Sequence, residues 1–163
     1  MHRPELRAVI FLQAGGVAIR EGYAFPDIRT EKAFRETMLK ARAILAIDPE
    51  RGTSGRHFAG VLARLGIADD VKARMKLLDG GSTAEPLARG KAEIAVQQLS
   101  ELMRMPGITI VGPLPGTLHK ETSYEAMALT AAGNPGAAGE FIAWLARPDV
   151  AAALMFRGFN PPR

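Results

Sequence analysis

Short apolar segments alternate along this chain with stretches that have the spacing of amphipathic helices, and this alternation constrains the fold more than any other feature. Residues 43–47 form an uninterrupted apolar run, and Phe58, Val61, Leu62 and Leu65 follow it at helical spacing. Further strand-like segments occur at residues 76–78, 92–96 and 108–111, with helical segments between them. Parallel neighbouring strands need crossover connections, so the pattern predicts an α/β fold with a mainly parallel sheet flanked by helices.

The first third of the chain has its own local signals. Residues 8–12 and 17–19 favour extended structure, and the glycine pair Gly15-Gly16 between them predicts a turn. Thr30 is predicted to cap a helix that continues to about Ala41.

The last third combines one strand with two helices. An extended segment is expected from Tyr124 to Thr130, before the residues that begin the next helix. Asn134 and Pro148 then begin two final helices, since Asn favours the N-cap and Pro the first helical turn.

Composition excludes several classes of function. A chain of 163 residues with 21 Lys+Arg and 17 Asp+Glu carries a net charge of only +4, and its cations are dispersed, which argues against a nucleic-acid partner. The sequence contains no cysteine, so disulfides and thiolate metal sites are excluded.

Every apolar run is shorter than the roughly 18 residues of a membrane-spanning helix. No export signal is visible after Met1, which predicts a cytoplasmic protein if Met1 is the true start.

The segment from Asp48 to Gly55 is the most informative candidate site. A strand ends there, small hydroxyl and glycine residues follow, and an amphipathic helix begins. Free N–H groups at a helix N-terminus, together with the hydroxyls of Thr53 and Ser54, are donors suited to an anion. The alternative is that Thr53 or Ser54 simply caps the helix, and the segment taken alone favours this alternative.

Other chemistry has little support from the motifs. Ser54 does not lie in a nucleophile elbow, because Arg56 occupies the position of the final glycine in G-x-S-x-G. His57 and His119 lack the spacing of a metal site, so no metal or cofactor is predicted. The turn at residues 80–83 is too short for a phosphate-binding loop, and Ser82 or Thr83 is expected to cap the following helix.

Polar residues beyond the predicted strands are weaker candidates. Gln97 and Gln98 follow the strand at residues 92–96, at the carboxyl edge where ligands of open α/β sheets gather. Tyr124 offers a phenolic hydroxyl near the start of a late strand. Exposed polar residues and a packing tyrosine explain these positions equally well.

Several stretches, taken in order, resemble the molybdate-binding-like periplasmic solute-binding proteins of ABC importers, which have the type 2 periplasmic-binding-protein fold. The likeness extends from about Gly16 to Asn160. The stretches that carry it are residues 25–34 (FPDIRTEKAF), 52–55 (GTSG), 58–69 (FAGVLARLGIAD), 87–97 (LARGKAEIAVQ), 111–115 (VGPLP) and 141–146 (FIAWLA). Each stretch is unspecific alone, but their joint order is considerably more specific.

The resemblance implies two α/β lobes that close around a small oxyanion or carboxylate without catalysis. Residues 1–22 then form the crossing or hinge strand region, residues 23–123 the second lobe, and residues 124–163 the return strand and C-terminal helices of an incomplete first lobe. The implied ligand-binding residues are Thr53, Ser54, Gly55, Gln97 and Tyr124. The implied location is the periplasm, and membrane subunits of an ABC importer are the implied partners.

The chain departs from the family at its beginning. An export signal and an N-terminal strand-helix segment of the first lobe are expected but not found, which indicates an N-terminally truncated form. The final helices, with Phe141, Trp144, Leu145 and Phe156, would then expose apolar surface. Self-association that covers this surface, giving a homo-oligomer, is therefore expected.

Two alternatives to a solute-binding component stay open. Some proteins in this broad group resemble an isomerase of aconitate, an enzyme that acts on a small polycarboxylate. Such an activity needs a general base, for which Glu50, Glu85, Glu101 and His57 are available. The other alternative is an interaction remnant that binds no ligand.

Overall fold

The computed structural model describes residues 7–103, 105–129 and 131–162, which form two compact units. The larger unit comprises residues 14–120, and the smaller unit comprises residues 1–13 and 121–163. The elements, in order, are β1 (Arg7–Arg20), α1 (Glu31–Lys40), β2 (Ile44–Ile47), α2 (Thr53–Arg64), α3 (Ala68–Lys72), β3 (Met75–Leu78), α4 (Ala84–Ala88), β4 (Ile94–Gln98), α5 (Leu99–Leu102), β5 (Ile108–Pro113), a 3₁₀ turn (Gly116–Leu118), β6 (Glu121–Met127), α6 (Pro135–Leu145), α7 (Pro148–Met155) and β7 (Phe159–Asn160).

The sheet of the larger unit has the strand order β3-β2-β4-β1-β5. Strand β2 pairs in parallel with both β3 and β4, whereas β1 pairs antiparallel with β4 and β5. All four residues of β2 are buried, as expected for a central strand covered on both faces. The predicted α/β architecture, with a sheet flanked by helices, is confirmed, and β1 is its antiparallel member.

Two apolar cores lie on the two faces of this sheet, because successive strand residues point to opposite sides. Ile44 and Ala46 of β2 contribute to one core, and Leu45 contributes to the other. Helices α1 and α2 cover the first face with Phe34, Met38, Phe58, Val61 and Leu62. Ala84, Leu87 and Leu102 of the short helices cover the second face.

The predicted glycine turn near the N-terminus is wrong. Strand β1 continues for 14 residues through Gly15 and Gly16, and its residues 7–13 belong to the smaller unit and residues 14–20 to the larger. A Cβ at Gly16 would lie only 3.0 Å from the Gly112 carbonyl oxygen and would collide with the Leu99 side chain. The glycine at this position therefore permits close packing within the sheet.

Local capping signals place most helix starts correctly. The Thr30 hydroxyl accepts the Ala33 N–H at 3.1 Å, and α1 begins at the next residue. The Asn134 side chain accepts the Ala137 N–H at the start of α6 in the same way. The predicted final helix at Pro148 is also present as α7.

In the smaller unit, β1 pairs antiparallel with β7, with Leu12 opposite Asn160 and Gln13 opposite Phe159. Strand β6 also pairs with β1. Strand β6 runs from Glu121 to Met127 and so begins before the predicted extended segment, whose last residue, Thr130, lies outside the described residues.

Gly55 determines how closely α2 approaches the end of β2. A Cβ on Gly55 would collide with the Ile47 carbonyl and would lie 2.8 Å from the Asp48 carbonyl oxygen. Both neighbours are backbone atoms at the end of a buried strand, so they cannot move aside as a flexible side chain can. The helix start and the strand end are therefore in direct backbone contact.

We predict that Gly55→Ala destabilises the protein by about 1–3 kcal/mol, because the new methyl group forces α2 away from β2. The matched control is Gly60→Ala in the same helix, where a Cβ meets nothing within 4 Å. That change should stabilise the protein by about 0.5–1 kcal/mol, since glycine is a poor helix former. Urea unfolding of the three proteins measures both effects, and equal stability of the two variants would contradict the close contact.

Candidate functional site

The candidate site lies in the larger unit, where the three parallel strands end at the same edge of the sheet. Residue 48 follows β2, residue 79 follows β3, and Gln97 and Gln98 end β4. The loops after these strands lead directly into α2, α4 and α5. Parallel strands gather their carboxyl ends, so three loops and three helix starts meet at this edge.

The turn between β2 and α2 is built on Asp48. Its N–H donates to the Leu78 carbonyl at 2.8 Å, which joins the turn to the end of β3. Its carbonyl accepts the N–H groups of Arg51 and Gly52, and its Oδ1 accepts the Glu50 N–H at 2.8 Å. The segment that leads into the helix is thus held by backbone hydrogen bonds.

Helix α2 begins without a side-chain cap. Its N-cap is Gly52, which makes no side-chain cap bond, and its first turn contains no acidic residue. The expectation that Thr53 or Ser54 caps the helix is therefore wrong, because both residues already lie inside the first turn. Gly52 is required at the cap because a Cβ there would lie 2.7 Å from the Ile47 side chain.

This arrangement leaves donors at the positive end of a helix. The first N–H groups of a helix have no carbonyl partner within it, and the helix dipole adds a partial positive charge at the same place. Thr53 is exposed and Ser54 is half-buried, so both hydroxyls lie beside these N–H groups near the surface. An anion with several acceptor atoms matches such a set of donors.

Gln97 is buried and makes internal hydrogen bonds. Its Oε1 accepts from the Thr83 N–H and from the Thr83 hydroxyl, each at 2.8 Å. Its Nε2 donates to the Gly81 carbonyl at 2.9 Å. Gln97 therefore holds the loop before α4 in place, and direct contact of Gln97 with a ligand stays a prediction.

The same loop contains a serine that bonds to the first N–H of α4, although the N-cap position itself lacks a side-chain cap bond. The Ser82 hydroxyl oxygen accepts the Ala84 N–H at 3.1 Å, and the hydroxyl donates to the Glu101 carbonyl at 3.0 Å. Thr83 is the N-cap residue of α4 but forms no side-chain cap bond, since its hydroxyl is used by Gln97. The loop is thus tied both to β4 and to α5.

The neighbouring Gln98 reaches the start of α2. Its Nε2 donates to the Thr53 Oγ1 at 3.4 Å, a long bond that connects the loop after β4 with the helix start. The family resemblance implies Gln97 and not Gln98 as a ligand-binding residue, and no local signal in the sequence distinguishes the two amides. Side chains alternate along a strand, and that alternation sends these two consecutive amides to different partners.

His57 lies on the second turn of α2 and is a half-buried titratable group at this edge. Its imidazole lies against Gly15 of β1 and forms a hydrogen bond with the backbone of Leu118. Burial lowers the pKa of His57 below its ordinary value of 6.5, and the Leu118 backbone opposes this shift. The imidazole is consequently neutral at pH 7, when it can accept a proton.

Tyr124 belongs to the smaller unit. Its ring stacks on Phe11 with centroids 4.8 Å apart, and 39% of the residue is exposed. Phe11 in turn contacts Phe159, with ring centroids 4.4 Å apart. The packing of Tyr124 is thus explained within its own unit, and its role in ligand binding stays a prediction.

Comparison with known proteins identifies the family. The family model for bacterial extracellular solute-binding proteins matches residues 6–160. The chain belongs to this family. A curated relative, aconitate isomerase from Pseudomonas sp., is 32% identical over 146 residues, which are 89% of this chain and 55% of that protein. The chain therefore spans about half the length of that relative.

Solved structures show the same fold at low sequence identity. A substrate-binding domain assigned to a molybdenum ABC transporter of Clostridium difficile matches with a TM-score of 0.79 at 14% identity, over 97% of this chain and 67% of that one. The periplasmic molybdate-binding protein of Azotobacter vinelandii matches with a TM-score of 0.72 at 19% identity, over 99% of this chain and 70% of that one. The resemblance to molybdate-binding-like solute-binding proteins is confirmed at the level of fold.

Two kinds of feature are absent from residues 7–103, 105–129 and 131–162. No group of three or more His, Cys, Asp or Glu side chains in that part of the chain is arranged to hold a metal ion. None of the helices there has the length and apolar character that a bilayer crossing requires.

Proposed function

We propose that this solute-binding protein binds a small oxyanion or carboxylate at the start of α2 in its larger unit. The observation that carries the proposal is the uncapped, acid-free first turn of α2, held against the end of β2 by Gly55. The proposed contacts are the N–H groups of this turn and the hydroxyls of Thr53 and Ser54. Gln98 supports the Thr53 hydroxyl, and Gln97 keeps the adjacent loop in position.

Neutral donors suit a transported solute. A helix start offers several hydrogen bonds and a partial positive charge without a fixed countercharge, so a tetrahedral oxyanion or a carboxylate gains contacts on more than one oxygen. Molybdate is favoured as one such ligand because the matching structures include molybdate-binding proteins. At 14% and 19% identity these structures support the fold, and the class of ligand proposed rests on the donor chemistry of the helix start.

The biological setting follows from the family. We propose that the larger unit corresponds to the second lobe of a two-lobed binding protein and that the smaller unit corresponds to part of the first. On this proposal Tyr124 is an additional ligand contact, the protein works in the periplasm, and its partners are the membrane subunits of an ABC importer. One matching structure belongs to a molybdenum ABC transporter and another is a periplasmic protein, which supports this setting.

The smaller unit supports a further proposal, that copies of the chain associate with one another. Helices α6 and α7 expose large apolar side chains, namely Phe141 at 58%, Trp144 at 47%, Met155 at 54% and Phe156 at 85%. Phe141 and Trp144 also stack on each other, with centroids 5.8 Å apart. A cluster of this kind is unfavourable in water, and a second copy would cover it.

A second candidate function is isomerisation of a small polycarboxylate, which the 32% identity to aconitate isomerase favours. Of the four bases considered from the sequence, Glu85 is engaged by Arg89 at 2.6 Å, and Glu50 and Glu101 are exposed. His57 is half-buried and neutral at pH 7, and it lies on the same helix as Thr53 and Ser54. A carboxylate bound at the helix start would therefore have a general base on the same helix.

For the anion proposal, we predict that Thr53→Asp weakens anion binding at least about tenfold, because a carboxylate then occupies the positive helix end. Thr53→Ser is the matched control, since it retains the hydroxyl and should bind like the unmodified protein. Calorimetric titration with molybdate, tungstate, sulfate and aconitate measures anion binding by the two variants and by the unmodified protein. Unchanged binding by Thr53→Asp, or no binding of any of these anions by the unmodified protein, would overturn the proposal.

For the isomerase candidate, we predict that cis- or trans-aconitate exchanges protons and interconverts in the presence of the protein, as followed by proton NMR in D2O. His57→Gln should abolish the exchange, while His119→Gln should leave it intact. The rate should fall as the pH drops below 6.5 and through the lowered pKa of His57, because the protonated imidazole is no longer a base. Absence of exchange, or full activity of His57→Gln, would eliminate this candidate.

For self-association, we predict a mass above 17.5 kDa by light scattering at tens of micromolar protein. Phe156→Asp should shift the population towards the single chain, because a charge in the apolar cluster opposes its burial. Phe25→Asp is the matched control in the larger unit, where Phe25 is 63% exposed, and should leave the mass unchanged. A single-chain mass for the unmodified protein would contradict the proposal.

A further inference from the structure

The larger unit contains a cavity of about 420 Å³ far from the start of α2. Ile19, near the end of β1, and Ile94, the first residue of β4, pair with each other in the sheet and line this cavity. The start of β4 lies at the opposite sheet edge from Gln97 and Gln98, which end the strand. The cavity is therefore separate from the proposed anion site.

Apolar groups form most of the cavity. Ile19 and Ile94 are buried at its base, and the small side chains of Ala33 and Ala41 leave the space open. Tyr23 and Phe25 stand at its rim with 41% and 63% of their surface exposed. Exposed aromatic side chains beside an open apolar cavity are a common composition of ligand sites.

The loop that carries these aromatic residues is held in place. The Asp27 carbonyl accepts the Thr37 hydroxyl of α1 at 2.8 Å. The Asp27 carboxylate accepts from the Arg29 Nε at 3.0 Å, and this side-chain bond is the main reason that the pKa of Asp27 falls to about 2. The cavity wall is thus built from the contacts of the loop with itself and with α1.

Two of the four charged residues that line the cavity already form ion pairs with arginine side chains. Asp27 is paired with Arg29, and Glu93 accepts from the Arg42 N–H at 2.8 Å and from its side chain at 2.6 Å. Glu36 and Lys40 line the cavity one helical turn apart on α1. Within the described residues, neither of these two side chains forms an ion pair. The cavity therefore presents one available carboxylate and one available ammonium group beside its apolar base.

We propose that this cavity binds a free α-amino acid with a large apolar side chain. The ammonium group of such a ligand pairs with Glu36, its carboxylate pairs with Lys40, and its side chain lies against Ile19, Ile94 and the rim aromatics. A ligand with a single charge would satisfy one of the two residues and be repelled by the other. A zwitterion pairs with both charges, and an apolar side chain of the ligand packs against the apolar residues that form the rest of the lining.

The test is an NMR titration of the ¹⁵N-labelled protein with L-phenylalanine, and with phenethylamine and 3-phenylpropionate as probes that carry one charge each. L-phenylalanine should shift the amides of residues 23–25, 27 and 33–41, and both other probes should bind more weakly. Glu36→Gln and Lys40→Gln should each raise the Kd for L-phenylalanine about threefold, as expected for exposed charge pairs. Ala33→Phe should abolish binding, because the ring fills the cavity.

Lys32→Gln is the matched control, since Lys32 lies on the same helix but does not line the cavity, and it should leave the Kd unchanged. The proposal is overturned if L-phenylalanine shifts no amide around the cavity. It is equally overturned if the three probes bind alike and Glu36→Gln and Lys40→Gln have no effect. These outcomes are independent of the anion proposal, because anion binding is read from residues 53–55 at the opposite edge of the sheet.

Discussion

Backbone contact between Gly55 and the carbonyl groups at the end of β2 determines where helix α2 begins, and the proposed anion site depends on that contact. A side chain at position 55 would push the helix away from the strand. Because α2 packs against the end of β2, a Cβ at its N-cap residue, Gly52, would lie 2.7 Å from the Ile47 side chain, and the glycine there offers no capping side chain. The first N–H groups of the helix are consequently left for a ligand, and the helix dipole points at the same place.

Local interactions explain why much of this fold could be predicted from the sequence. Thr30 and Asn134 bond to N–H groups three residues ahead, so each marks a helix start without help from the rest of the chain. The apolar run of β2 indicates a strand that is covered on both faces. Such covering is typical of a strand between two parallel neighbours, and β2 lies between β3 and β4. The membership in the solute-binding family rests on the order of such segments rather than on any single motif.

Tertiary contacts explain where prediction from the sequence failed. Gly15 and Gly16 have the local signal of a turn, but β4 pairs with both residues and β5 pairs with Gly16, so the strand continues through them. Thr53 and Ser54 have the local signal of a cap, but the close approach of α2 to β2 moves the cap to Gly52. The partners of Gln97 and Gln98 lie at least 14 positions away in the sequence, so no local pattern distinguishes the two amides.

The central claim is that the start of α2 is an anion site, and the amide chemical shifts of that turn test it most directly. Titration of the ¹⁵N-labelled protein with molybdate should shift the amides of Thr53, Ser54 and Gly55 most strongly and saturably, because donated hydrogen bonds change the environment of these N–H groups. Gly60, in the same helix but far from its start, is an internal reference and should hardly move. Shifts that are absent at residues 53–55, or spread evenly over the chain, would contradict the account.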